Sequence, residues 1–143
     1  MKKLTKTQIQ EKISECLEPR KEVRFTYLFG SRVEGVSGPE SDLDLAVYLD
    51  KEDISQTNPL YETRLSLEIE EAIGNILEVD ILELNRASLI LKYQVTSKGK
   101  LVFARNEEEA RDYEALIRKK YFDFYPKRRE YNEQRLKRYG VSE

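Results

Sequence analysis

Three aspartates in this chain are spaced for metal chemistry. Asp42 and Asp44 stand two apart in Ser41-Asp42-Leu43-Asp44-Leu45-Ala46-Val47. Leu43, Leu45, Val47 and Leu49 alternate as in a strand, so both carboxylates fall on one face and the leucines on the other. Two carboxylates side by side repel each other, and a divalent cation is the natural compensation. Mg²⁺ in particular takes one or two carboxylates together with phosphate oxygens and water. Asp80 lies between Val79 and Ile81 in a second alternating stretch, an uncomfortable place for an idle charge. If the two strands are neighbours, Asp80 joins the pair. Two ions could then be held, one on a triphosphate and one activating an acceptor hydroxyl that Asp80 orients or deprotonates.

The turn before these carboxylates suits phosphate. Gly30 ends an apolar strand and Ser31 begins what reads as a short helix. Glycine allows close backbone approach, and free amides at a helix start favour an anion. The Ser31 hydroxyl adds a donor and Arg32 adds charge, although Arg32 is equally a surface cation. Ser41 either faces the nucleotide or simply starts the strand as a turn residue. Taken singly, each feature has a bland explanation: Gly30-Ser31 as a strand-ending turn, Asp42 and Asp44 as a solvated strand face, Asp80 as an edge-strand residue. Their joint spacing favours a metal–nucleotide site.

Composition limits the chemistry further. The 143 residues contain no histidine and a single cysteine, Cys16. That removes Ser-His-Asp and Cys-His catalysis, His-ligated zinc and any internal disulfide. Cys16 is expected to pack as a small hydrophobe. The 25 basic and 27 acidic residues nearly cancel, which disfavours a general polyanion binder, so nucleic acid is not expected as direct substrate. No apolar run approaches the ~18 residues of a membrane span, and Met1-Lys2-Lys3-Leu4 lacks the apolar stretch of a signal peptide. The expected location is the cytoplasm, with no membrane association.

The elements that must position these residues follow from apolar periodicity. Leu4, Ile9, Ile13 and Leu17 predict a first helix ending near Glu18, and Val23, Phe25, Tyr27 and Phe29 a first strand. Arg32 to Ser41 holds Gly35, Gly38 and Pro39, room for a short helix and a turn. Leu43 to Leu49 is the second strand, followed by a polar loop over Asp50 to Thr57. Asn58-Pro59 reads as the start of a helix with Tyr61, Leu65, Ile69, Ala72 and Ile73 on one face, closed by Gly74. Leu77 to Leu82 reads as a third strand, Asn85 as the cap of a helix through Lys98 that stops at Gly99, and Lys100 to Ala104 as a fourth strand. From Asn106 the pattern is helical, and Pro126 is expected to end or kink that helix. The expectation is an α/β (α+β) fold with a small mixed sheet. Residues 1–143 form one domain, with a core over about residues 20–104 and a long helical tail over about 106–140.

Gly30-Ser31, ten intervening residues, then Asp42-Leu43-Asp44 resembles the Gly-Ser-x10-Asp-x-Asp signature of the nucleotidyltransferase superfamily related to DNA polymerase beta. Four fixed positions would match by chance in roughly one chain in several hundred. Asp80 resembles that superfamily's third, catalytic aspartate. The chain resembles one branch more closely, the minimal nucleotidyltransferase (MNT) antitoxins of HEPN toxin–antitoxin pairs. The shared features are its short length, Ser41 before Asp42, Leu84-Asn85, Lys98-Gly99-Lys100-Leu101 and the tail Tyr121-Phe122-Asp123-Phe124-Tyr125. The resemblance implies transfer of AMP from ATP, with Mg²⁺, onto a tyrosine of a partner HEPN ribonuclease toxin, which silences it. It assigns the metal to Asp42, Asp44 and Asp80, and the nucleotide to Gly30, Ser31, Arg32 and Ser41. Glu34 stands where relatives often carry arginine. A glutamate near a triphosphate must point away or bind metal.

The tail has two readings. Lys119, Lys120, Lys127, Arg128, Arg129, Arg135, Lys137 and Arg138 outnumber Asp123, Glu130 and Glu133, and aromatics interleave them. It could be a partner-docking or RNA-contacting helix, or an amphipathic helix packed on its own domain. The packed reading suits Tyr113, Leu116 and Ile117, and docking gains ground beyond Pro126. Two further functions stand beside the adenylyltransferase: neutralisation of the toxin by binding alone, and modification of a small molecule such as an antibiotic. Transferases of the last kind more often carry an additional helical domain for the acceptor.

Overall fold

The computed structural model describes residues 4–30, 42–50 and 60–138, with side chains up to residue 125. Four strands form one mixed sheet in the order β3-β2-β1-β4. β1 (Val23–Phe29) is antiparallel to β2 (Leu43–Leu49) and to β4 (Lys100–Ala104), while β2 is parallel to β3 (Val79–Glu83).

Helices cover both faces. On one side α1 (Lys6–Leu17) and α2 (Tyr61–Ala72) bury Ile9, Ile13, Leu17, Leu65 and Ile69 against Leu43, Leu45, Val47 and Leu49. Burying each such side chain is worth about 1.5–3 kcal/mol. A capping box is worth about 1 kcal/mol. The box on α1, in which Thr5 and Gln8 exchange bonds of 3.1 and 2.8 Å, is therefore secondary to packing. Cys16 is half-buried against this cluster, as expected of a small hydrophobe. On the other side α3 (Leu89–Lys98) and α4 (Glu107–Arg138) cover Phe25, Tyr27 and Ala46 through Val95, Ala110 and Tyr113. Phe25 stacks on Tyr48 at 4.7 Å, and Tyr113 closes the aromatic group at 5.2 and 4.8 Å from them.

Most elements lie where the periodicity puts them, and three boundaries differ. The third strand runs Val79–Glu83 instead of Leu77 to Leu82, because its ladder starts where Val79 meets Leu43. Asn85 does not cap a helix. It lies in a 3-10 turn (Leu84–Arg86), and its amide receives the Leu49 N–H and donates to the Leu49 carbonyl, both at 2.9 Å. The helix cap is Ser88, whose hydroxyl accepts from Leu91 N–H at 3.2 Å. α2 begins at Tyr61 after Leu60, with no side-chain cap, and Asn58 and Pro59 lie outside the described residues. α4 fills the helical tail expected over about 106–140 and does not end at Pro126, continuing to Arg138. A proline removes one backbone bond and crowds one carbonyl, which a helix of 32 residues absorbs. The short helix expected over Arg32 to Ser41, and the loop beyond Asp50, also fall outside the described residues.

Candidate active site

The sheet brings Asp44 and Asp80 onto one rung. In the parallel β2–β3 ladder Leu43 pairs with Val79 and Asp44 with Asp80. The Leu43 N–H donates to the Glu78 carbonyl at 2.8 Å, which fixes the register at the first residue of β2. Since Leu43 and Leu45 face α1 and α2, Asp44 faces the opposite side with Ala46 and Tyr48. Asp42 lies just ahead of β2 and is exposed, as is Asp80, while Asp44 is half-buried. β3 is an edge strand, and among the described residues no strand pairs with its outer side.

Gly30 completes this end of the sheet. The last residue of β1, Phe29, pairs with Asp44 across the antiparallel ladder. Gly30 then turns the chain with φ of +87°, and a Cβ placed on it would stand 2.4 Å from Oδ2 of Asp44. Only glycine suits both the left-handed backbone and this contact with the carboxylate. Ser31, Arg32, Glu34 and Ser41 lie outside the described residues.

The electrostatics agree with the clustering. Burial pushes the Asp44 carboxyl above its ordinary range, and the charges of Asp80 and Asp42 push it in the same direction. A bound cation would relieve all three influences. Among the described residues no three His, Cys, Asp or Glu side chains are gathered closely enough to hold one metal ion. The donors fit Mg²⁺ in type, as carboxylate oxygens open to water and phosphate.

Two residues noted in the sequence, Gly99 and Asn85, fix opposite ends of the sheet through contacts that the sequence pattern does not reveal. Gly99 follows α3 with ordinary backbone angles, but a Cβ there would lie 2.3 Å from the Val95 carbonyl and 3.1 Å from that of Leu28. It lets the end of α3 close onto β1 two residues before Gly30. Asn85 holds the other end of β2 through Leu49. A helix-stop glycine after Lys98 is legible, whereas its contact with β1 is not.

The sequence profile described as "Polymerase beta, Nucleotidyltransferase" matches residues 11–108, which include Gly30 and all three aspartates. The chain belongs to this family. No curated protein matches the nucleotidyltransferase in sequence. Among solved structures, a toxin–antitoxin complex with AMP-PNP contains a chain that superposes with a TM-score of 0.71 at 22% identity, covering 89% of this chain and 98% of that one. The toxin–antitoxin pair MntA-HepT gives 0.67 at 20% identity, over 92% and 99% of the two chains. A complex of the tri-AMPylated HEPN toxin of Shewanella oneidensis with its MNT antitoxin gives 0.69 at 20%, over the same shares. At these identities the likeness is one of fold. The mixed sheet and long last helix of this nucleotidyltransferase are thus shared over nearly its whole length. No helix among its described residues is long and apolar enough to cross a membrane.

Proposed function

We propose that the chain is an antitoxin that transfers AMP from Mg²⁺-bound ATP to a tyrosine hydroxyl of a partner HEPN-domain toxin. The observation that carries this reading is the Asp44–Asp80 rung, with Asp42 ahead of it and Gly30 against Asp44. Asp42 and Asp44 would hold Mg²⁺ against the triphosphate, while Asp80, not gathered with them closely enough to hold the same ion in this structure, would serve the acceptor. Bound Mg²⁺ supplies neutralisation of phosphate charge and a lowered pKa for the acceptor hydroxyl. Gly30 admits the phosphates, with Ser31, Arg32 and Ser41 in the adjoining segment as their further contacts. Asp80, exposed at the edge strand, orients the incoming hydroxyl and takes its proton. The acceptor oxygen forms a bond to the α-phosphorus, the bond between that phosphorus and the bridging oxygen breaks, and pyrophosphate leaves. Catalysis is positioning and charge stabilisation, work suited to a chain without imidazole.

The choice of nucleotide and acceptor draws on the structural neighbours, one holding AMP-PNP and another paired with a tri-AMPylated HEPN toxin. The test is to purify the chain with the protein encoded beside it, add ATP and Mg²⁺, and weigh the partner intact. Adenylate-sized mass gains that vanish in Asp42→Asn/Asp44→Asn support the proposal. No gain, with the double variant still neutralising toxicity, would overturn it in favour of neutralisation by docking. That second reading is motivated by the exposed Phe122, Phe124 and Tyr125 of α4.

A further inference from the structure

α4 is longer than the sheet that supports it. Glu109 pairs with Arg24 at 3.0 Å and Glu114 accepts from the Tyr27 hydroxyl at 2.9 Å, so helix and β1 run in the same direction. From Tyr27 to Gly30 is three strand residues, ~10 Å. From Glu114 to Tyr121 is seven helical residues, also ~10 Å. Tyr121 is therefore roughly level with Gly30 and the carboxylate end of the sheet. The helix continues to Arg138, some 25 Å further at ~1.5 Å per residue.

The face of α4 that packs on the domain does not end where the sheet ends. Ala110, Tyr113, Glu114 and Ile117 meet the domain, and the same three- and four-residue spacing continues through Tyr121, Phe124 and Tyr125. At ~100° per residue, Tyr121, Phe122, Phe124 and Tyr125 fall within an arc of about 160° centred near that packing face. Asp123 falls on the opposite side. Tyr121 is anchored from within the chain, stacked on Tyr93 of α3 at 3.8 Å and on Tyr125 at 5.2 Å. Phe122, Phe124 and Tyr125 remain 56%, 49% and 44% exposed. Scattered surface apolar residues are ordinary, but a core stripe carried past its own core marks a surface built to be covered.

Charge narrows the occupant. The first turns of α4 hold Glu107, Glu108, Glu109, Asp112 and Glu114 against Arg111, and three of these acids pair within the chain. The aromatic segment holds the exposed cations Arg118, Lys119 and Lys120 against Asp123 alone. The covering surface must therefore offer apolar pockets rimmed by acidic groups. It must also sit off the end of the sheet on the face that carries Asp44 and Asp80. An acceptor's hydroxyl has to arrive at that place.

We infer that the Tyr121–Tyr125 segment of α4 is the docking ledge for the acceptor protein, taking an acidic-rimmed apolar patch that lies beside the modified hydroxyl. This rests on the proposed transfer reaction and adds its acceptor-binding surface. The test uses the whole chain carrying Phe122→Ala, Phe124→Ala and Tyr125→Ala together, with Leu67→Ala, on the exposed flank of α2, as control. Docking to the protein encoded beside the chain, the proposed HEPN-domain acceptor, is measured by calorimetry, on an Asp42→Asn/Asp44→Asn background so that no transfer intervenes. Steady-state transfer is measured with the aspartates intact. The expected result is at least a tenfold loss of affinity and a tenfold rise in KM for the acceptor. The kcat at saturating acceptor, the KM for ATP and the circular-dichroism spectrum stay within twofold or unchanged, and the control matches wild type. Affinity and KM within twofold of wild type would overturn the inference. So would a variant that keeps the acceptor and loses single-stranded RNA, since that would make the ledge a nucleic-acid surface. If the wild-type chain transfers nothing, the reaction proposed above fails, while calorimetry still decides the ledge.

Discussion

A methyl group on Gly30 would stand 2.4 Å from the Asp44 carboxylate oxygen, at a residue whose φ is +87°. The glycine and the aspartate are thus one unit, joined by the pairing of Phe29 with Asp44. Gly30→Ala must strain the backbone by about 1–2 kcal/mol and also displace the carboxylate. Misplacing a reacting group by about 1 Å costs on the order of 100-fold in rate. The variant is expected to stay folded, with a lower Tm, and to lose at least that factor in AMP transfer. Wild-type transfer by Gly30→Ala would dissociate the glycine from catalysis.

Asn85 pins the far end of β2 by a two-bond contact with Leu49. Asn85→Ala leaves the Leu49 N–H and carbonyl to find other partners, a cost of about 1–3 kcal/mol. Asn85→Asp keeps an acceptor for the N–H but sets a carboxylate oxygen against the carbonyl. It is expected to be at least as destabilising at neutral pH. Urea unfolding followed by circular dichroism reads both, and a midpoint unchanged in either variant would contradict the contact's role.

The same residue shows where the sequence stops being legible. Period-two and helical apolar patterns report which face of an element is buried, and they located β1, β2, β4 and the body of every described helix. They do not report pairing. Asn85 before a helical run looks like a cap, because nothing local reveals that Leu49, 36 residues away, takes its amide. Asp44 was legible as facing away from the leucines because Leu43 and Leu45 flank it on the strand, whereas Asp42 lies ahead of β2, where strand alternation no longer fixes its face. That Asp80 meets Asp44 needs the parallel β2–β3 register, which no local pattern encodes. Gly30 was legible as a turn, but its contact with Asp44 follows only from the antiparallel return of β2.

Arg105 ties three segments to one guanidinium. Its Nε donates to the Val23 carbonyl at 2.7 Å, and Nη2 to the carbonyls of Leu17, Glu18 and Arg20 at 2.8, 2.9 and 2.6 Å. The last carbonyls of α1 have no partner within the helix, and a cation there also meets the negative end of the helix dipole. Removing such charge-assisted bonds costs about 1.5–3 kcal/mol, part of which water recovers at this half-exposed position. Arg105→Ala is therefore expected to lower Tm by roughly 5–10 °C. Arg105→Lys should recover only part of this, since an ammonium cannot reproduce the planar fork. A thermal melt of the two variants decides it, and equal Tm values for wild type and Arg105→Ala would refute the latch.

Asp44 links stability to the proposed metal. Burial first, then Asp80 and Asp42, raise its carboxyl above the ordinary value of 3.8. With the folded value above the unfolded one, the native state binds this proton more tightly. The resulting stabilisation is complete below pH 3.8 and is lost as pH rises through the folded value. At neutral pH the ionised group therefore weighs against the fold unless a cation offsets it. Asp44→Asn, close in shape and uncharged, is expected to melt above wild type at pH 7 in EDTA. The gap should narrow towards pH 4, where the wild-type carboxyl is increasingly protonated. Mg²⁺ with ATP should raise the wild-type Tm by mass action and leave the variant nearly unmoved, while transfer by the variant disappears. Differential scanning fluorimetry across pH, with and without Mg²⁺, reads all three effects. A variant that melts below wild type in EDTA at pH 7 would show that Asp44 serves the fold and not the cation.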